Sequence, residues 1–317
     1  MKYAKLILTV LLLLAITGCY KVPDKIEPQV NFSVQDKYLK QLPPAFPPLD
    51  ASEKGEPWGQ EYLIAQKFVE YLDLYRAITT FKRAEFLLPA GKPQRLEEIQ
   101  YQILLSYYLG KRYEQVTQEF THSSLYSATE SFPAYHDLLI IMYESYMEVG
   151  EEKKADYVFK VIEHHFPETA KRLKVSTALI EGDLNTLRTI QREDPSKEYI
   201  TQLLDTYEAK KKSVKKAQTL NALVPGAGFL YVGQKQSALT SFLLNGLFIW
   251  ASVHFYTKGN YAAGAIFTSF ETGWYFGGIY GAGESAKLYN ERLYEEEAYP
   301  ILNKHSSFPV LMLRFGF

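Results

Sequence analysis

The chain has 317 residues, 47% hydrophobic and 22% charged, which suits a folded protein of one large or two ordinary domains and excludes a disordered tail. Thirty-five basic residues against 36 acidic ones leave a formal charge of −1, so no overall field directs the protein to nucleic acid. A single cysteine excludes an internal disulfide framework, a cysteine-based zinc site and a two-thiol redox pair within the chain.

Lys2 and Lys5 precede an apolar run from Leu6 to Ile16, followed by Thr17, Gly18 and the lone Cys19. This is the basic, apolar, small-residue order of an export signal. Read from composition alone, the segment is an ordinary cleaved signal or a short N-terminal helix. Ile16-Thr17-Gly18-Cys19 resembles the lipobox of bacterial lipoproteins. That resemblance implies that residues 1–18 are a signal peptide and that Cys19 is the lipidation site, its thiol diacylated and its new N-terminus acylated. Several acyl chains exceed the two signals that stable anchoring takes. Tyr20 stands where many enterobacterial lipoproteins carry the Asp of inner-membrane retention, which favours the outer membrane. Pro23, Pro28, Pro43, Pro44, Pro47, Pro48 and Pro57 then predict an extended, lipidated tether over 19–57.

From 58 to 208 apolar and small residues recur at helical spacing in three alignable units. The first carries Ile64, Ala65 and Phe68 on one helix and Ala77, Phe81, Ala84 and Pro89 on the next. The second carries Ile103, Leu104 and Tyr107, then Val116, Phe120 and Ser123. In the third, Met142, Tyr146 and Gly150 precede Ala155, Phe159, Ile162 and Pro167. Ala77, Val116 and Ala155 are 39 residues apart each time. A degenerate fourth unit runs through Ala178, Gly182 and Leu187 to Pro195. The pattern is similar to the tetratricopeptide repeat, which implies a helical solenoid with a protein or peptide partner in its groove; the residues alone also fit an irregular helical bundle. Ala77, Phe81, Ala84, Tyr107, Phe120, Tyr146, Ala155 and Phe159 are the expected packing residues. Tyr108 and Tyr143 are expected to be exposed contacts for the partner.

Beyond the lysines at 210–212 and 215–216 the composition turns apolar, and from Ala217 to Gly283 only Lys235, Lys258 and Glu271 carry charge. The uncharged stretch Ser237–Thr257 and the stretch Gly259–Gly283, broken only by Glu271, are each long enough for a bilayer core, which takes about 20 residues. Ala265, Ser269, Gly273, Gly277, Gly281 and Ser285 recur every four residues, as in helices that approach closely in lipid. Ser237, Ser241 and Asn245 form a more polar stripe on the preceding segment. A glycine-rich apolar helical hairpin over 217–290 is therefore expected, packed through Gly273, Gly277 and Gly281; a soluble glycine-rich pair is the other reading. Pro225, Gly226, Gly228, Tyr231 and Gly233 resemble the Pro-Gly-x-Gly-x-x-Tyr-x-Gly element that opens small two-helix membrane domains in bacteria. With no preceding strand and no Lys-Ser or Lys-Thr after Gly233, these glycines do not make a phosphate loop.

The tail, 291–317, is acidic and then apolar. Leu311, Leu313, Phe315 and Phe317 alternate as in a strand, but no series of such segments precedes them, so a docked strand or tail is expected rather than a barrel. Adjacent His164 and His165 point about 100° apart on a helix and do not share a metal. His254 and Glu271 are the ionisable candidates within the apolar span, too far apart along the hairpin to meet; Glu271 with Asn245 is the candidate intramembrane polar site, Glu271 being expected to bond Asn245, Ser241 or backbone. No catalytic arrangement or cofactor motif is present. The sequence thus predicts a mainly α protein, a tetratricopeptide-like solenoid followed by the hairpin. In function it predicts a non-enzymatic, lipid-anchored scaffold of the bacterial cell envelope, facing the periplasm, with membrane lipid and a protein as partners. The alternative is a channel or transport accessory that oligomerises through the hairpin and uses Glu271.

Overall fold

The computed structural model describes residues 22–30, 42–305 and 308–317; Cys19, the expected signal and the middle of the expected tether lie outside them. The protein is mainly helical, at 77%, with no strand among the described residues. Of these residues, 42–179, 300–305 and 308–317 form one compact unit, and 22–30 with 180–299 form another.

The first unit is built of paired helices. α1 (Ala51–Gly55) leads into α2 (Pro57–Glu70) and α3 (Leu74–Leu87). α4 (Pro93–Leu109) with α5 (Tyr113–His122) follows, then α6 (Tyr135–Glu148) with α7 (Glu152–His165), and α8 (Pro167–Glu181). Ala77, Val116 and Ala155 each stand three residues into the second helix of a pair and are fully buried. The turns between partners repeat as closely. Leu72, Lys111 and Gly150 all have positive φ, at 55°, 54° and 75°. The next residue's N–H in each case bonds back to the carbonyl of Phe68, Tyr107 or Tyr146 at 2.9–3.0 Å. This is the helix C-terminal closure that a left-handed residue permits. Only the third turn places glycine there, so the first two accept roughly 1 kcal/mol of left-handed strain each.

Trp58, Ala65, Ala77, Phe81, Ala84 and Ile99 form a core between α2, α3 and α4, with Tyr107 packed against it. Tyr146 is buried, and Phe120 and Phe159 are half-buried. Tyr108 and Tyr143, expected at the surface, are buried instead. The Tyr108 hydroxyl donates to Glu144, and the Tyr143 hydroxyl lies 3.0 Å from Thr177 Oγ1. The reason is that the middles of α4 and α6 are enclosed nearly all round: Tyr101–Ser106 and His136–Tyr143 are unbroken buried runs, so Tyr108 and Tyr143 have no open face to occupy.

Burial raises the Glu144 carboxyl from 4.5 to about 7. The folded protein therefore holds a proton that the unfolded chain releases at lower pH, and stability must fall as pH rises through that window. Glu144→Gln keeps an oxygen for Tyr108 and removes the ionisation. Its melting temperature should match the wild type near pH 5 and exceed it at pH 8, by an amount corresponding to about 1–2 kcal/mol. Parallel melting curves across that range would refute the assignment.

The C-terminal segment closes this unit. Phe308, Val310, Met312 and Leu313 are buried around a short 3₁₀ turn (Pro309–Met312), not a strand. The Asp137 carboxylate, fully enclosed in the first turn of α6, accepts from Arg314 N at 2.9 Å and Phe315 N at 2.8 Å. His136 Nδ1 lies 2.7 Å from its other oxygen, and His136 Nε2 lies 2.9 Å from Thr169 Oγ1. Gly316 N donates to Pro43 O at 3.0 Å, and Phe317 packs on the Trp58 cluster.

The second unit holds α9 (Leu184–Glu193), α10 (Glu198–Lys210), α11 (Val214–Leu223), α12 (Ala227–Val232), α13 (Lys235–Thr257) and most of α14 (Tyr261–Lys304). Residues 22–30 are docked on it rather than held free as a tether. Val22, Ile26 and Val30 are buried, and Val22 joins Val214, Ala217, Val232, Ala282 and Ala286 in one apolar cluster. Glu291 and Glu295 accept the backbone N–H groups of Glu27 and Gln29 at 2.9 and 2.6 Å.

Candidate membrane-facing surface

The Pro225–Gly233 element forms a short helix bounded by two left-handed glycines, Gly226 with φ 95° and Gly233 with φ 93°. Asn221 Oδ1 takes the Gly226 N–H at 2.8 Å. A Cβ on Gly226 would stand 2.3 Å from Ala238 O, and one on Gly228 would stand 2.2 Å from Ala217 O. Gly226 is thus required both for φ and for close approach of backbones, Gly228 for close approach and Gly233 for φ. Tyr231 accepts from Ser213 N at 3.1 Å, and the ammonium groups of Lys212 and Lys216 lie 5.1 and 4.9 Å from its ring centre. Part of the lysine cluster is therefore held by cation–π contact.

α13 and α14 are joined by the turn at Lys258–Asn260 and meet through aromatic rings. Phe248 contacts Phe267, Phe270 and Trp274, and Phe255 stacks on Phe267 at 5.3 Å. Gly264 faces the Tyr256 ring, and Gly278 faces Ser241 Oγ and Asn221 Nδ2. The contact positions on α14 are therefore 264, 267, 270, 274 and 278, a 3-4-spaced seam. The expected four-residue ridge does not lie on it. A step of four advances 400°, so the ridge drifts by about 40° at each step around a helix of 3.6 residues per turn. Gly273 and Gly277 consequently open to empty space, and only its last members are enclosed, Gly281 against the Phe229 ring and Ser285 bonded to Gln234.

The expected bond of Glu271 is also not formed. Asn245, 2% exposed, donates to Ser241 O at 2.6 Å, while Asn245 Oδ1 and Glu271 Oε2 are buried without a hydrogen-bond partner. His254 stacks on Trp250. His165, in the last turn of α7, pairs with Glu130 at 2.7 Å. Among the described residues no group of His, Cys, Asp and Glu side chains is placed to hold a metal ion.

Outside its seam α13 is apolar and uncovered. Leu239, Phe242, Leu243, Leu247, Trp250 and Val253 are each more than half exposed, and Ile266 and Phe270 continue the surface on α14. α13, 23 residues long with a mean hydropathy of 1.4 over its most apolar 18, is the one helix among the described residues long and apolar enough to cross a membrane. Its length is about 35 Å at 1.5 Å per residue, against a hydrocarbon core of about 30 Å. α14 does not meet the same test. Comparison of the chain with protein-family models, curated proteins and solved structures gives no match.

Proposed function

We propose that this protein is a non-enzymatic, lipid-anchored scaffold of the bacterial cell envelope, in which a tetratricopeptide-like solenoid binds a protein partner and an apolar hairpin seats the molecule in a membrane. The observation that carries the reading is the uncovered apolar surface of α13 and α14. Monomeric soluble proteins rarely expose continuous apolar patches beyond a few hundred Å², and bilayer lipid is the solvent that such a surface suits. The three turns repeated at 39-residue intervals support the solenoid. The lipobox at Ile16–Cys19 supports the anchor and the envelope location.

A chain exported by an ordinary cleavable signal and lacking Cys19 tests this. It should remain in the membrane pellet after alkaline carbonate extraction, because the hairpin holds it there. Release into the supernatant would reduce the apolar pair to a protein-covered surface and leave lipid as the sole anchor. A second reading, a channel or transport accessory, is favoured by the two buried, unpartnered oxygens of Asn245 and Glu271. It survives only if the Cys19-free chain stays in the pellet.

A further inference from the structure

Two surface grooves of the first unit occupy corresponding places in successive helix pairs. One, about 740 Å³, is lined by α3, the end of α4 and Arg112, with Tyr107 in its wall. The other, about 460 Å³, is lined by α5, α6 and α7, and includes Tyr146, 39 residues after Tyr107. The ammonium groups of Lys82 and Lys154 each lie 5.4 Å from the centre of the corresponding tyrosine ring. Large rings stand open to solvent at both grooves: Tyr75 is 81% exposed and Phe86 88% at the first, Tyr126 64% and Tyr157 70% at the second.

The charge is one-sided. Lys82, Arg83 and Arg112 line the first groove and Lys153 and Lys154 the second, while neither lining includes an Asp or Glu, in a chain with 36 acidic residues against 35 basic. Lys82 is neutralised from outside by Glu119, Arg83 by Glu61 and Lys154 by Glu151. Arg112 Nε donates to the neutral side chain of Gln115, and Lys153 is exposed. These two set the field that an occupant meets.

We propose that the grooves flanking α5 bind an acidic segment of a protein partner, its aromatic or aliphatic side chains packing over Tyr107 and Tyr146 and its carboxylates facing Arg112 and Lys153. Exposed rings beside two cations that no carboxylate pairs, Arg112 and Lys153, suit a ligand that is apolar and anionic together. The inference rests on the scaffold reading and deepens it by naming the surface and the chemistry of the partner.

The test is selection of a random 12-residue peptide library displayed on phage against the full chain in detergent. The selected peptides are then measured on wild type and on the double variant Arg112→Glu/Lys153→Glu. Both positions are exposed and flank helix N-termini, where a carboxylate is tolerated. A melting curve checks that the variant is folded, and the pair Phe86→Ala/Tyr157→Ala, also at exposed positions, tests the rings independently. The expected result is enrichment of Asp and Glu together with Phe, Leu or Trp, at least tenfold weaker binding to either double variant, and weakening as salt is raised. Peptides of basic or unbiased charge, or acidic peptides that bind the variants as tightly as wild type, would overturn the groove assignment and leave partner binding standing. No enrichment over the bare support would overturn both. Binding by vesicles of anionic lipid, lost in the charge variant, with no peptide selected, would replace the partner by a membrane surface.

Discussion

Asp137→Ala should lower the melting temperature by roughly 10 °C and free the C-terminal segment. The carboxylate holds two backbone N–H groups and a histidine in a site with no solvent access. Each charge-assisted bond contributes about 1.5–3 kcal/mol, and loss of an acceptor leaves buried donors without water to replace it. A total of about 3–5 kcal/mol corresponds to the stated shift at roughly 2–4 °C per kcal/mol for a domain of 150–250 residues. Phe308, Val310, Met312 and Leu313 would then lose their cover, and trypsin should cleave after Arg314 much faster than in the wild type. Unchanged cleavage with an unchanged melting temperature would show that apolar packing alone secures the segment.

The second large effect is expected at Gly228, with Gly273 as its control. A Cβ at 228 meets Ala217 O at 2.2 Å, Ala282 Cβ at 2.8 Å and Asn221 Cβ at 2.8 Å, so α11 and α14 must both move to admit a side chain. Overpacking of this kind costs about 1–3 kcal/mol, and more where backbone has to yield. Gly228→Leu should therefore unfold the α11–α12–α14 packing at a clearly lower temperature in detergent. At Gly273 nothing lies within 4 Å of the added atom, and leucine there should be neutral or mildly stabilising through helix propensity. Equal destabilisation by the two substitutions would mean that the four-residue ridge is a packing surface after all.

That contrast marks where the sequence can be read and where it cannot. The 39-residue spacing of Ala77, Val116 and Ala155 locates the buried start of each second helix, because small residues at a close approach leave a periodic trace. The turns leave none at Leu72 and Lys111, where an ordinary residue takes the left-handed conformation that glycine signals at Gly150. Tyr108 and Tyr143 were illegible for a different reason: helices whose middles are buried nearly all round carry no continuous polar face against which an exposed position stands out. Gly273, Gly277 and Gly281 form a four-residue pattern, but the rings of Phe248, Phe267 and Trp274, too large to point elsewhere without cost, choose the seam. The docked segments at 22–30 and 308–317 are aperiodic, and their partners lie far along the chain, so no local pattern betrays them.

Neither compact unit is a continuous piece of chain. Glu27 meets a carboxylate 264 residues away, and Phe315 meets one 178 residues away. Closing loops of that length carries an entropic cost that only the finished contacts offset. The helix pairs between 57 and 165 can form as they emerge from synthesis, but the pocket around Asp137 stays empty until residues 314 and 315 exist. Maturation of each unit is therefore a late, single event, and any fragment cut at the composition boundary near residue 216 would be missing a closing strap.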